Sequence, residues 1–177
     1  GLFGLAVPES YGGLGLDMET ECLVGFELGW PSPAFRSAAG TNIGIGSQAL
    51  VLFGTEEQKE KYLPGLASGD IVTSSALTEQ EAGSAAAGLR TKATKEGDAY
   101  VLNGGKRYIT NANVADLFTV MARTNPDEPG GKGVSAFIVP RDTPGLSVGK
   151  PEKKMGQQGA HICDVNFDNA RVPSEMM

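Results

Sequence analysis

Two hydrophobic rhythms divide this chain near residue 70. Before it, apolar side chains recur three or four positions apart, as on a helix face; after it, they alternate over short runs, as on strands. Asp17 predicts a helix start, with Glu19 and Glu21 in the first turn where the helix dipole favours acids, and the helix is expected to run to about Leu28. Cys22, Leu23, Phe26 and Trp30 share one side and are expected to be buried. Pro31 and Pro33 break the chain. A second helix is expected over about Ala34 to Phe53, with small residues (Ala38, Ala39, Gly40, Gly44, Gly46) that let another element come close. Thr55-Glu56-Glu57-Gln58 reads as a capping box opening a third, short helix that Pro64 interrupts.

Past residue 70 the pattern predicts an antiparallel β unit. Ile71–Leu77 is strand-like, and Thr78–Gly88 is a turn-prone stretch. Leu89–Lys95, Ala99–Asn103 and Lys106–Thr110 follow as a meander, with hairpin turns expected at Gly97-Asp98 and Asn103-Gly104. Leu117–Arg123, Val134–Pro140, Leu146–Lys150 and Ile162–Phe167 are further strands, and Thr124–Gly133 is an exposed hairpin loop. Short strands at this spacing, with no helical pattern between them, point to a sandwich or barrel and away from a parallel sheet. The expected fold class is α+β, with helical residues 1–70 and a β domain at 71–177.

Charge sharpens the boundary. Net charge is −6, and all of it resides in residues 1–70, where nine acids face three bases; the remainder is balanced. An acidic chain without a basic stripe is a poor nucleic-acid binder. No apolar run approaches the ~20 residues of a membrane span, and no signal peptide is evident. Cys22 and Cys163 lie far apart and His161 is the single histidine, so no metal site is expected, and reduced thiols are the natural reading. Because the chain opens and closes within structured-looking segments, it reads as an internal piece of a longer protein.

Chemistry-bearing groups are sparse. Gly44-Ile45-Gly46-Ser47-Gln48-Ala49 matches GxGxxA, but Ser37–Asn42 before it form no strand, so a glycine-rich helix face is expected rather than a dinucleotide turn. His161 reads as a surface or packing residue, and Glu79 and Glu81 as a solvated pair flanking a turn. Two segments stand out. Ser75–Gly88 opens from a strand into a small-residue loop that presents backbone groups and the Thr78 and Ser84 hydroxyls without obstruction. Lys106–Ala112 places Tyr108 and Thr110 two apart, on one face of a strand, where a ring and a hydroxyl suit a flat heterocycle.

These segments carry a resemblance. Gly4-Leu5…Val7-Pro8-Glu9…Tyr11-Gly12-Gly13-Leu14-Gly15, Gly54-Thr55-Glu56-Glu57-Gln58…Tyr62-Leu63-Pro64, Ala76-Leu77-Thr78-Glu79…Ala82-Gly83-Ser84, Tyr100–Gly104…Lys106…Tyr108–Ala112, and Lys154-Met155-Gly156 with Phe167…Arg171-Val172-Pro173 occur in the order seen in acyl-CoA dehydrogenases. The chain resembles that family over nearly its whole length. The resemblance implies a partial N-terminal helical domain, then a middle β-barrel domain, with a C-terminal helical domain outside this chain. It implies FAD against the barrel, held by Ala76, Leu77, Thr78, Gly83, Ser84, Tyr108, Ile109 and Thr110. Leu77 and Thr78 would meet the pyrimidine side, Tyr108 would lie beside the ring in place of the family's tryptophan, and Thr110 would direct its hydroxyl toward N5. Ser84 would also touch the substrate's phosphopantetheine arm or the cofactor phosphates.

The reaction implied is α,β-dehydrogenation of an acyl-CoA thioester. A carboxylate takes the α-proton, the β-hydride goes to FAD, and electrons pass on to an electron-transferring flavoprotein. The family's base is a glutamate of the C-terminal domain, so no catalytic residue is assigned in this chain. A homodimer or homotetramer is implied for the full-length protein, in the cytoplasm if bacterial or the mitochondrial matrix if eukaryotic. Same-fold alternatives are an acyl-CoA oxidase or a flavin monooxygenase; a non-catalytic CoA-ester-binding scaffold is a third reading. Two residues depart from the family pattern: Ala85 stands where an aspartate is usual, and Gln80 replaces a proline.

Overall fold

A computed structural model describes all residues, Gly1–Met177. Four helices precede the sheet: α1 Met18–Gly29, α2 Pro33–Thr41, α3 Gln48–Phe53 and α4 Glu56–Ser68. Asp17 caps α1 by accepting the Thr20 N–H at 2.9 Å, and this bond with the Thr20 hydroxyl holds its carboxyl below the usual range. The expected second helix is broken. A π-helical turn, Asn42–Gly46, separates α2 from α3, because here the chain meets the start of the sheet. Asn42 Oδ1 accepts the Thr73 N–H at 2.6 Å, and the Gly46 carbonyl accepts the Thr119 hydroxyl at 3.2 Å.

The capping box forms as expected: Thr55 Oγ1 accepts the Gln58 N–H and Gln58 Oε1 accepts the Thr55 N–H. Pro64 does not interrupt α4, which continues to Ser68 and ends at Gly69 in left-handed geometry. Burial of Tyr62, Leu63, Leu66 and Ala67 around that proline outweighs the one helical bond it cannot make. The capping bonds should be worth about 1 kcal/mol, so Thr55→Ala is expected to lower unfolding free energy by about that amount in urea melts.

The buried face expected for α1 is instead its exposed one. Leu23, Phe26 and Trp30 are 60%, 79% and 92% exposed, and Cys22 is open as well. The helix packs through Val24 and Leu28, one turn apart, against Leu5, Ala39 and Ile43. Its other apolar side faces no element of this chain.

Seven strands make one curled half-barrel: β1 Thr73–Ala76, β2 Lys92–Glu96, β3 Ala99–Thr110, β4 Leu117–Arg123, β5 Val134–Pro140, β6 Leu146–Val148 and β7 Ile162–Pro173. The order is β1-β4-β2-β3-β7-β6, with β5 on β4. The sheet is mixed rather than antiparallel, since β1 and β2 both run parallel to β4. The β2–β3 hairpin inserted between β1 and β4 acts as a crossover, and β4 therefore returns in the direction of β1. The turn at Gly97-Asp98 is present, with Gly97 at φ 64°. No turn occurs at Asn103-Gly104: β3 continues through it, with a register irregularity against β7. Gly104 is required there by close approach, since a Cβ would stand 2.6 Å from Thr91 Oγ1 and 2.7 Å from Thr91 Cα. The core joins Leu102, Phe118, Val120, Phe137, Val139 and Val165 of the sheet to Leu63 and Leu66 of α4. Tyr100 and Phe137 meet edge to face, their centroids 5.2 Å apart.

Candidate cofactor-binding wall

The two segments singled out by sequence lie side by side. Ser74 donates its hydroxyl to the Thr110 carbonyl, and Arg107 donates its N–H to the Thr78 carbonyl at 2.8 Å. The extension of β1 through Leu77 and Thr78 thus flanks the last residues of β3. Neither the Leu77 nor the Thr78 N–H bonds to another group of the chain. Both sit at the outer surface, with Leu77 exposed and Thr78 half-buried.

A bulge decides which side chains face out. Lys106 pairs with Val165 and Ile109 with Cys163, so Arg107 and Tyr108 together oppose Asp164. Strict alternation from Lys106, which is fully buried, would turn Tyr108 inward. The extra residue reverses the phase: Ile109 is buried and Tyr108 is 55% exposed. Tyr108 adopts φ 58°, an uncommon left-handed conformation for a bulky residue, with the Arg107 guanidinium 5.0 Å from its ring centroid. Arg107 in turn lies 3.5 Å from Asp164 and 3.6 Å from Glu152. Strain of this kind gathers at functional sites.

Thr110 ends β3 and opens on a groove of ≈ 420 Å³ bordered by α1, α2 and the π-helical turn. Leu5, Met18, Val24, Arg36 and Ile45 are among its walls. Beyond Thr110, Asn111 donates to the Ala38 carbonyl at 2.8 Å and fastens the strand end to α2.

The other sequence-predicted residues divide. Ala76 and Ile109 are buried and turn their side chains into the core, so only their backbones are available. Gly83 and Ser84 are exposed, in a loop beyond the turn where Glu79 and Ala82 exchange backbone bonds. His161 is at the surface, its Nδ1 2.9 Å from the Asn113 amide. Burial pushes the Cys163 thiol up, which suits an inert core residue.

Glu79 is not a solvated carboxylate. It is 9% exposed and its Oε1 lies 2.8 Å from the ammonium of Lys106, which is fully buried. It also accepts the Arg90 N–H at 2.6 Å, the Thr91 N–H at 2.9 Å and the Thr91 hydroxyl at 2.6 Å. Loop closure between Thr78 and Arg90 therefore centres on Glu79, whereas Glu81 pairs with Arg90 at the surface. Sequence reading missed this pair. The signal was present: Tyr100, Leu102 and Lys106 share one strand phase, which makes Lys106 an inward cation in need of a counter-charge.

Burial raises the Glu79 carboxyl, but the bonds from Lys106, Thr91 and the two backbone N–H groups outweigh it and hold the group below its ordinary value. Burial likewise lowers the Lys106 ammonium, and Glu79 only partly opposes that shift. A carboxylate with a depressed folded-state pKa stabilises the fold above its unfolded value of about 4.3, and that stability is lost as pH falls through the folded value. Acid titration of stability should therefore be steeper below about pH 4 in wild type than in Glu79→Gln. Equal slopes would show that the carboxylate is not so held.

The profile of the acyl-CoA dehydrogenase N-terminal domain matches residues 1–70, and that of the acyl-CoA dehydrogenase middle domain matches 74–170. An acyl-CoA dehydrogenase of Bacillus subtilis is 46% identical over 173 residues, covering 98% of this chain and 45% of the relative. The crystal structure of a Bacillus anthracis acyl-CoA dehydrogenase complexed with FAD superimposes with TM-score 0.91 at 42% identity, over 99% of this chain and 30% of that one. Butyryl-CoA dehydrogenase from Megasphaera elsdenii gives TM-score 0.95 at 36% identity, over 100% and 47%. The chain spans less than half the length of each of these relatives.

Proposed function

Because the chain belongs to the acyl-CoA dehydrogenase family, we propose that it forms the flavin-holding wall of an FAD-dependent enzyme that introduces an α,β double bond into an acyl-CoA thioester. Residues 1–70 are part of a helical domain and 71–177 the barrel domain in this reading. The observation that carries it is the bond from the Arg107 N–H to the Thr78 carbonyl, which brings Thr78, whose own N–H is unbonded, next to the exposed, strained Tyr108. Such a surface fits a flat heterocycle with acceptor atoms along one edge.

When bound, FAD supplies the two-electron acceptor for the substrate β-hydrogen. Leu77 and Thr78 would offer N–H donors to the pyrimidine edge, and the Tyr108 ring would cover apolar area beside it. Thr110 lines the groove, which we assign to the acyl portion of the substrate. Ser84 and Gly83, on the exposed loop, are left to the phosphate-bearing parts of the ligands. No general base is assigned to this chain, since the resemblance puts it in the C-terminal domain; Glu79 is committed to Lys106, and Glu81 to Arg90. In the full-length protein, electrons leave for an electron-transferring flavoprotein.

The test is anaerobic addition of acyl-CoA thioesters to the FAD-loaded full-length protein. The expected result is bleaching of the visible flavin band, restored by an electron-transferring flavoprotein and only slowly by oxygen. Fast reoxidation by oxygen would favour an oxidase, and a flavin that no thioester bleaches would contradict the reading. Residues 1–177 alone should hold FAD weakly, since the resemblance implies that the adenine half of FAD is held partly by the C-terminal domain of a neighbouring subunit. A Kd of about 1 μM or tighter for this segment, by flavin fluorescence, would contradict that expectation.

A further inference from the structure

The Lys106–Glu79 pair does more than fill the barrel. Lys106 Nζ donates to Glu79 Oε1 at 2.8 Å and also to the Leu77 carbonyl at 3.1 Å. The Leu77 carbonyl and the Thr78 N–H belong to one peptide unit, and in a trans peptide they point in opposite directions; no cis peptide occurs in the chain. A carbonyl drawn toward the buried ammonium therefore sends the Thr78 N–H the other way, out of the wall. That N–H has no partner in the chain. Thr78 is held from its other side as well, by the Arg107 N–H on its carbonyl. The carboxylate fixes the ammonium and is itself fixed by Arg90 and Thr91.

We propose that Lys106, locked by Glu79, is a positioning residue that turns the Leu77–Thr78 peptide so that its N–H stands outward as a fixed donor to bound FAD. The inference rests on the flavin reading above. A buried ion pair is not by itself a device for stability, since well-packed neutral groups of similar volume often serve the fold as well or better. What neutral groups do not supply is an ammonium aimed at one particular carbonyl.

That difference gives the test. In the full-length protein, the double variant Glu79→Gln/Lys106→Met removes both charges and keeps the volume. It is expected to fold, because no unpaired charge is left buried, yet to bind FAD about tenfold more weakly, with an altered visible circular dichroism of the bound flavin. Val172→Ala, a core change that pairs with Tyr100 at the other end of the β3–β7 ladder from Lys106, serves as the comparison and should weaken the fold without moving either flavin readout. Should the double variant prove unstable, Lys106→Met alone, compared at matched loss of stability with Val172→Ala, makes the same discrimination. Wild-type FAD affinity and an unchanged flavin spectrum in the charge-free variant would overturn the positioning role and leave the flavin reading intact. A wild-type protein that takes up no FAD would overturn both.

Discussion

Valine in place of Gly46 is expected to lower the unfolding free energy by about 3 kcal/mol, from overpacking together with the loss of buried hydrogen bonds. Here the π-helical turn presses on the first strand. A Cβ at position 46 would stand 2.5 Å from Thr73 Cγ2 and 2.7 Å from the Thr41 carbonyl oxygen. Thr73 cannot retreat: it is fully buried, its N–H is given to Asn42, and its neighbours are paired to β4. Gly44, two residues earlier, is the control, because a Cβ there meets nothing within 4 Å. Gly44→Ala should be neutral or stabilising by up to about 1 kcal/mol, as for a glycine replaced in open helix. Urea denaturation of the two variants reads the contrast. Equal effects would mean that the glycines serve the helix generally and not its junction with β1.

The second large effect concerns flavin affinity. Tyr108→Asn should reduce FAD binding by the full-length protein about tenfold, the order expected for loss of one aromatic contact, while the apo-protein keeps its stability within about 0.5 kcal/mol or gains slightly. Asparagine tolerates the left-handed backbone that a tyrosine adopts at a cost of about 1 kcal/mol, and this relief offsets the lost Arg107 stacking of about 0.5 kcal/mol. Tyr108→Val should behave oppositely in stability, since a β-branched residue is poorly suited to φ 58°. Flavin titration and thermal melts, taken together, check both halves. A Tyr108→Asn protein that is markedly less stable would mean that the ring serves the fold and not the ligand.

How much of this was legible in the sequence depended on whether the deciding interaction was local. Asp17 and the Thr55–Gln58 box act within one helical turn, and both helix starts were readable. Family order placed Leu77, Thr78, Tyr108 and Thr110 together, and the backbone bond from Arg107 to Thr78 is the physical form of that proximity. The failures are nonlocal. Pro64 looks like a break unless the burial of Leu63 and Leu66 is known, and Gly104 looks like a turn unless Thr91 is known to lie against it. Leu23, Phe26 and Trp30 spell a buried face, but α1 uses its Val24–Leu28 side within this chain. The parallel pairing of β1 with β4 follows from the inserted hairpin, which periodicity alone does not reveal. Glu79 was misread because its counter-charge lies on another strand, although the inward phase of Lys106 could have announced it.

Amide hydrogen exchange in the full-length protein, with and without FAD, reports on the flavin-holding wall itself. Leu77 and Thr78 carry N–H groups that bond to nothing in the chain, so their exchange has most to lose when a ligand accepts from them. FAD is expected to slow exchange at Leu77 and Thr78 and across Tyr108–Thr110, and to leave the Thr124–Gly133 loop unchanged. Protection by FAD that falls elsewhere, with Leu77 and Thr78 exchanging as fast as before, would contradict this.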